Sequence, residues 1–142
     1  MRFLDRLQPL ALLGLRLALG IIMIGHGSQK VFGGLPATMG MLSKMGVPSW
    51  MAYLVAAAEF GGGILLVAGF LTRLGALAIA IDMAVAIAKV HWKNGLITLP
   101  GHPLGVEYPL GFGIIAFALI FFGAGPISLD WVFFRGGSAS RR

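Results

Sequence analysis

Apolar residues run almost unbroken through four stretches of this chain, at about 9–27, 48–71, 74–92 and 109–125. A helix that crosses a bilayer needs ~20 mostly apolar residues, with a range of ~17–25, and these stretches meet or approach that length. Pro48 and Pro109 suit first-turn positions, where a missing N–H costs nothing. Thr72 is placed to cap the third helix, and Gly125-Pro126 stops the fourth. Between the first two spans, residues 36–45 carry Met39, Met41, Leu42 and Met45 before Gly46, which reads as a short interfacial or re-entrant helix. Residues 93–108 are turn-rich yet apolar and are expected to fold over the mouth of a bundle. After the fourth span, Ser128 is placed to cap a short interfacial helix holding Trp131, Phe133, Phe134 and Arg135.

The pattern predicts an all-α, integral membrane four-helix bundle, a single domain over 1–142, with short interfacial helices in the first loop and the C-terminal tail. Composition agrees: 58% of the 142 residues are hydrophobic and 11% are charged. Disorder is excluded, since it needs low hydrophobicity and high charge. A water-soluble domain of this size would have too little polar surface to cover four such spans. The chain has no cysteine, which excludes thiolate nucleophiles, iron–sulfur clusters and Cys-ligated zinc. No metal site is evident. The net charge of +6 does not indicate nucleic acid, because no basic run is interleaved with aromatics. The charge sits in loops and tails instead. Arg2, Arg6, Arg73, Arg135, Arg141 and Arg142 fall on the side of the termini, and Lys30, Lys44, Lys89 and Lys93 on the other. The positive-inside rule then places both termini in the cytoplasm of a bacterial cell, with the protein multi-pass in the plasma (inner) membrane. Arg16 interrupts the first span and no small-x-small site follows it, so this span reads as an uncleaved helix.

Ionisable side chains inside a span cost ~2.5–3.5 kcal/mol each near its centre, so each needs a reason. Arg16, Glu59, Asp82 and Lys89 are such residues. At 1.5 Å per residue Arg16 lies ~10 Å, and Asp82 ~12 Å, from the cytoplasmic ends of their helices, which predicts a buried ion pair. Glu59 and Lys89 fall in the outer half, with His26, Lys30 and His91 above them. His26, Lys30, Glu59, Lys89 and His91 therefore form the candidate polar site. Asp82, Ala86, Lys89 and Lys93 share one stripe of an ideal helix. His91 lies ~180° away from Asp82 at ~100° per residue, which separates it from that stripe. The glycines at 61–63 read as packing residues, since no Lys-Ser/Thr phosphate loop follows.

The order of motifs resembles the DoxX family of small bacterial four-helix membrane proteins. The matching residues are Gly25-His26-Gly27 with Lys30-Val31-Phe32-Gly33, and Met45-Gly46-Val47-Pro48. Then come Glu59-Phe60-Gly61-Gly62-Gly63, Gly69-Phe70-Leu71-Thr72-Arg73, Ala86 to His91, Glu107-Tyr108-Pro109, and Gly125-Pro126-Ile127-Ser128-Leu129-Asp130. The resemblance implies association with quinol oxidases, with thiosulfate:quinone oxidoreductase, or with membrane complexes that resist oxidative stress. It carries over no cofactor-binding residues.

Different classes of function fit these residues. One is an accessory membrane protein of redox or quinone-linked chemistry, with a quinone or small reductant received at the outer mouth. His26, Glu59, Lys89, His91 and Tyr108 have the chemistry to meet quinone oxygens and move protons. No self-contained catalytic motif is present, so electron transfer would need a membrane or extracytoplasmic redox partner. The second is a non-enzymatic scaffold subunit whose charges set helix register. The third is a small-solute or proton pathway through Glu59 and Asp82, for which one bundle needs partners in a homo-oligomer. The lipid bilayer is the partner common to all.

Overall fold

A computed structural model describes residues 6–135. In chain order the helices are α1 (Gln8–Gln29), α2 (Leu35–Lys44), α3 (Met51–Ala68), α4 (Thr72–Asn94), α5 (Glu107–Phe122) and α6 (Trp131–Arg135). The long helices α1, α3, α4 and α5 form an up-and-down bundle, with the short α2 at one end and α6 at the other. By length and composition the segments of α1, α3 and α4 can cross a membrane. The apolar α5 has 16 residues and extends ~24 Å.

All four long helices contribute to one core. Leu19 and Met23 of α1 meet Leu66 of α3, Ile79 and Met83 of α4, and Ala116 and Leu119 of α5. The opposite faces expose Ile21, Ile64, Ile81 and Phe117, the arrangement expected where lipid replaces water. A smaller cluster of Leu42, Val47 and Ala52 seats α2 on the start of α3. Between α1 and α2 the chain breaks helical geometry at Phe32 and Gly33. The φ of 136° at Gly33 is open to glycine and strained for other residues.

The glycine triplet of α3 has a division of labour. A Cβ on Gly63 would lie 2.8 Å from the Gly20 carbonyl oxygen of α1, and one on Gly62 would lie 3.2 Å from the Gly75 carbonyl oxygen of α4. Adjacent positions are ~100° apart on a helix, so neighbouring glycines admit two different backbones. A Cβ on Gly61 would meet nothing within 4 Å among the described residues. Lower on the same face Gly20 lies against Val67, and higher up Gly27 is pressed onto the backbone of Phe60. These contacts set the vertical register of α1 on α3.

Some local expectations change. Thr72 does not cap α4. It is the first helical residue, and the cap comes from across the fold: Asp130 accepts from the Leu71 N–H at 2.7 Å and the Thr72 N–H at 3.0 Å. Leu71 holds φ 46°, a left-handed conformation sustained by that carboxylate. Pro48 precedes α3 by three residues, in a turn rather than in its first helical turn. The Ser128 hydroxyl does accept from the Trp131 N–H, at 3.2 Å, as a cap of the tail helix. The tail arginines Arg141 and Arg142, and Arg2, lie outside the described residues.

Gly63→Ala should lower stability by ~1–3 kcal/mol, because the methyl must displace the α1 backbone. Gly61→Ala should be neutral or slightly stabilising. Thermal unfolding of both variants in the same detergent checks this, and equal melting temperatures would refute the packing assignment.

Candidate functional site

At the end of the bundle away from the termini, the close approach of Gly27 to Phe60 brings the end of α1 over α3. Lys30, one turn beyond Gly27, makes an ion pair with Glu59. The pair is mostly buried, the Lys30 side chain 18% exposed and the Glu59 side chain 9%. The rings of Phe32 and Phe60 pack edge to face at 5.8 Å beside it. Asp82 joins from α4: Gly62 touches Ile79, and one turn higher on each of these antiparallel helices stand Glu59 and Asp82. Asp82 is buried and within Coulombic range of both Glu59 and Lys30. Three helices thus supply two carboxylates and one ammonium to one place.

The expected partnership of Arg16 with Asp82 is not formed. Arg16 is 2% exposed, and its guanidinium donates to main-chain carbonyls: Leu66 at 2.8 Å, Ala124 at 2.6 Å and Ile127 at 2.9 Å. Equal depths along two helices bring side chains together only if the helices start at one level. The register of Gly20 on Val67 shows instead that α1 begins lower, so Arg16 stands level with the α3–α4 turn. Asp82 lies ten residues up α4 from Thr72, ~15 Å above that turn. The guanidinium instead gathers one carbonyl from the last turn of α3 and two from the chain that leaves α5.

Among the five candidate site residues, the structure brings together Lys30 and Glu59. Glu59 is partnered by Lys30 and not by Lys89. Lys89 is exposed, and His26 is exposed with no hydrogen-bond partner among the described residues. His91 Nδ1 lies 2.8 Å from the Leu104 carbonyl oxygen, so that nitrogen carries a proton and ties α4 to the following loop. Asp82 is buried while Lys89 is exposed, and Lys89 lies within Ile87–His91, where α4 widens to i→i+5 bonding and departs from the ideal-helix stripe. The same widening occurs in α3 over Ala57–Gly61, around Glu59. Such bulges recur at functional sites, and here both occur at the end of the bundle that holds the polar cluster.

Two acids whose roles the sequence does not assign act as clamps. Asp130 fixes the α3–α4 turn, as described above. Glu107 accepts from the Thr98 N–H at 3.0 Å, while the Thr98 hydroxyl accepts from the Gly105 N–H at 2.9 Å, closing the 93–108 loop upon itself. Isolated acids flanked by Gly or Pro turns are the signal that could have marked them.

In double-mutant cycles on detergent-solubilised protein, Arg16→Leu and Asp82→Leu should be additive within ~0.5 kcal/mol, as for separated sites. Arg16→Leu alone should be severe, because each stranded carbonyl costs ~1–3 kcal/mol. Lys30→Met and Glu59→Leu should couple, the second change relieving part of the first. Coupling between Arg16 and Asp82 would overturn the assignment of partners.

Comparison with known proteins matches the DoxX family model to residues 11–92. The chain is 39% identical over 79 residues to the Bacillus subtilis protein named "Putative oxidoreductase CatD", covering 56% of this chain and 58% of that protein. It is 31% identical over 137 residues to an uncharacterized protein of Haemophilus influenzae, covering 95% of this chain and 99% of the relative. It is 39% identical over 72 residues to the inner membrane protein YqjF of Escherichia coli, covering 51% of this chain and 55% of YqjF. The match therefore spans little more than half the length of CatD and of YqjF, and nearly all of the Haemophilus protein. No solved structure matches the chain.

Proposed function

Because the chain belongs to the DoxX family of membrane proteins, we propose that it is a redox-linked accessory subunit that receives a quinone-type molecule at the Lys30–Glu59–Asp82 cluster. The observation that carries this reading is the meeting of two carboxylates and one ammonium, from α3, α4 and the end of α1, inside an apolar bundle. Two carboxylates beside one ammonium leave an unbalanced negative charge unless one takes up a proton. The cluster is therefore suited to hold and release a proton. A quinol that loses two electrons to the partner also loses two protons, of which one passes to an adjacent carboxylate and the other to water at the open side of the cluster. Lys30, partly open to the outside, is the donor available to a quinone oxygen. The electrons pass to a partner redox protein, since the sequence carries no motif for haem, flavin or an iron–sulfur cluster. The oxidoreductase name of the CatD relative supports a redox association.

On this reading the site faces away from the cytoplasm. Both termini are cytoplasmic on the positive-inside rule, which the arginine bias of the sequence supports.

The test is quinone retention measured beside stability on the same preparation. Wild-type protein purified from quinone-containing membranes should retain quinone detectable by absorbance and mass spectrometry. Glu59→Gln and Asp82→Asn should keep the melting temperature within a few degrees and lose most of the bound quinone. A stable Glu59→Gln protein with full retention would remove the cluster from the reading. A wild-type preparation with no quinone that captures a partner through its loops would favour a scaffold. Topology is checked separately in this cysteine-free chain. Lys44→Cys should react with an impermeant maleimide on whole cells and Leu129→Cys should not, and the reverse pattern would invert the orientation.

A further inference from the structure

At the end of the bundle near the termini, opposite the polar cluster, the α3–α4 turn, the segment after α5 and α6 enclose a cleft of about 610 Å³. Its walls are of two kinds. Leu74, Phe122, Trp131 and Phe134 present apolar and aromatic surface, and all four are exposed at the level where the helices end. Thr72 and Arg73 present polar groups on the first turn of α4. Asp130 also lines the cleft, but both its carboxylate oxygens are taken by the Leu71 and Thr72 amides. Arg73 is different. Its guanidinium has five N–H donors and, among the described residues, makes one bond, to the Phe121 carbonyl oxygen at 3.2 Å. No carboxylate forms a salt bridge with it among the described residues. Thr72 is fully buried, and its hydroxyl has no hydrogen-bond partner among the described residues. An orphan buried hydroxyl calls for a partner, and Thr72 stands on the wall of the cleft. The N-terminus of α4 adds the positive end of its dipole.

A ligand that suits these walls has an anionic head with acceptor oxygens and a long apolar body lying toward the bilayer. We propose that the cleft binds one anionic phospholipid. Its phosphodiester takes the spare donors of Arg73 and the Thr72 hydroxyl, and its acyl chains lie along Leu74 and Phe122. Basic pockets between membrane helices recognise lipid head groups in this way. The aromatic rings of Trp131 and Phe134 sit at head-group level, where such rings are favoured. A lipid held there would bridge α4, α5 and α6 at the end of the bundle held together by Arg16 and Asp130.

The full-length protein in mild detergent, equilibrated with an equimolar mixture of phosphatidylglycerol and phosphatidylethanolamine, gives the test by native mass spectrometry. The wild type should retain one phosphatidylglycerol per protomer in preference to phosphatidylethanolamine. Arg73→Gln should reduce that retention about tenfold, the effect of losing one charge-assisted hydrogen bond. Phe134→Asp sets a like charge at the mouth without altering α4, and should reduce retention as well, so the proposal is tested even if Arg73→Gln folds poorly. Equal retention of the two lipids by the wild type would overturn the proposal. So would retention unaffected by Phe134→Asp, displacement of the lipid by millimolar inorganic phosphate, or a neutral quinone found in place of the phospholipid.

Discussion

The Arg16 guanidinium is the point on which one whole end of the bundle depends. A helix leaves four carbonyls without partners at its C-terminus, and in a bilayer there is no water to satisfy them. Here α3 ends beside the start of the turn to α4, and the chain leaving α5 passes the same place. Arg16 donates to Leu66 of the first and to Ala124 and Ile127 of the second. One cation, buried at a cost that lipid makes large, thereby joins three elements distant in sequence. Gly69 is part of the same arrangement. A Cβ there would lie 2.6 Å from the Arg16 guanidinium, and its φ of 65° leaves room for the turn. Asp130, within Coulombic range of Arg16, closes the far side of the turn through the Leu71 and Thr72 amides.

With that end fixed, the register of the helices carries the consequences upward. Gly20 on Val67, Gly63 on Ile24 and Gly27 on Phe60 hold α1 against α3 at van der Waals distance. Without bulky side chains between them, the backbones approach closely, and dispersion replaces the hydrophobic effect as the source of association. A shift of one turn would move Lys30 away from Glu59. The polar cluster is thus set by glycines beneath it as much as by its own charges.

The membrane bundle, its helix order, the short α2 and the capped tail helix were legible in the sequence. Each rests on local information: span length, Gly and Pro punctuation, and a Ser three residues before Trp131. Gly62 and Gly63 were also legible as packing residues, though not which partner each one met, whereas Gly61, read the same way, faces open space among the described residues. Partner choice among the charges was only partly legible. Depth along a helix can be counted from residue numbers, but the vertical offset between helices cannot, and α1 begins lower than the count assumed. Facing directions beyond residue 87 were lost for a different reason. One turn of wider helix at Ile87–His91 carries no mark in the sequence, and Lys89, which ideal geometry puts on the Asp82 stripe, lies within it and is exposed. Asp130 and Glu107 stood in the motifs, yet their roles depend on contacts across 58 or more residues for Asp130, and on a loop folded upon itself for Glu107.

The charges then divide by what satisfies them. Arg16 and Asp130 make their hydrogen bonds to the main chain, and Glu107 likewise accepts from a backbone amide. A charge held by fixed backbone groups has little freedom to exchange a proton or a ligand, because every displacement strands a buried amide or carbonyl. Among the described residues Lys30 and Glu59 hold each other by their side chains and Asp82 lies within Coulombic range of both, on elements that also carry a widened turn or a helix break nearby. Side chains can repartner when a proton or a polar molecule arrives, at the cost of a rotamer rather than of a helix end. The same distinction isolates Arg73 at the other end, where one carbonyl contact leaves most of a guanidinium fork unused. On physical grounds, the groups that suit exchange are the ones the backbone does not already occupy.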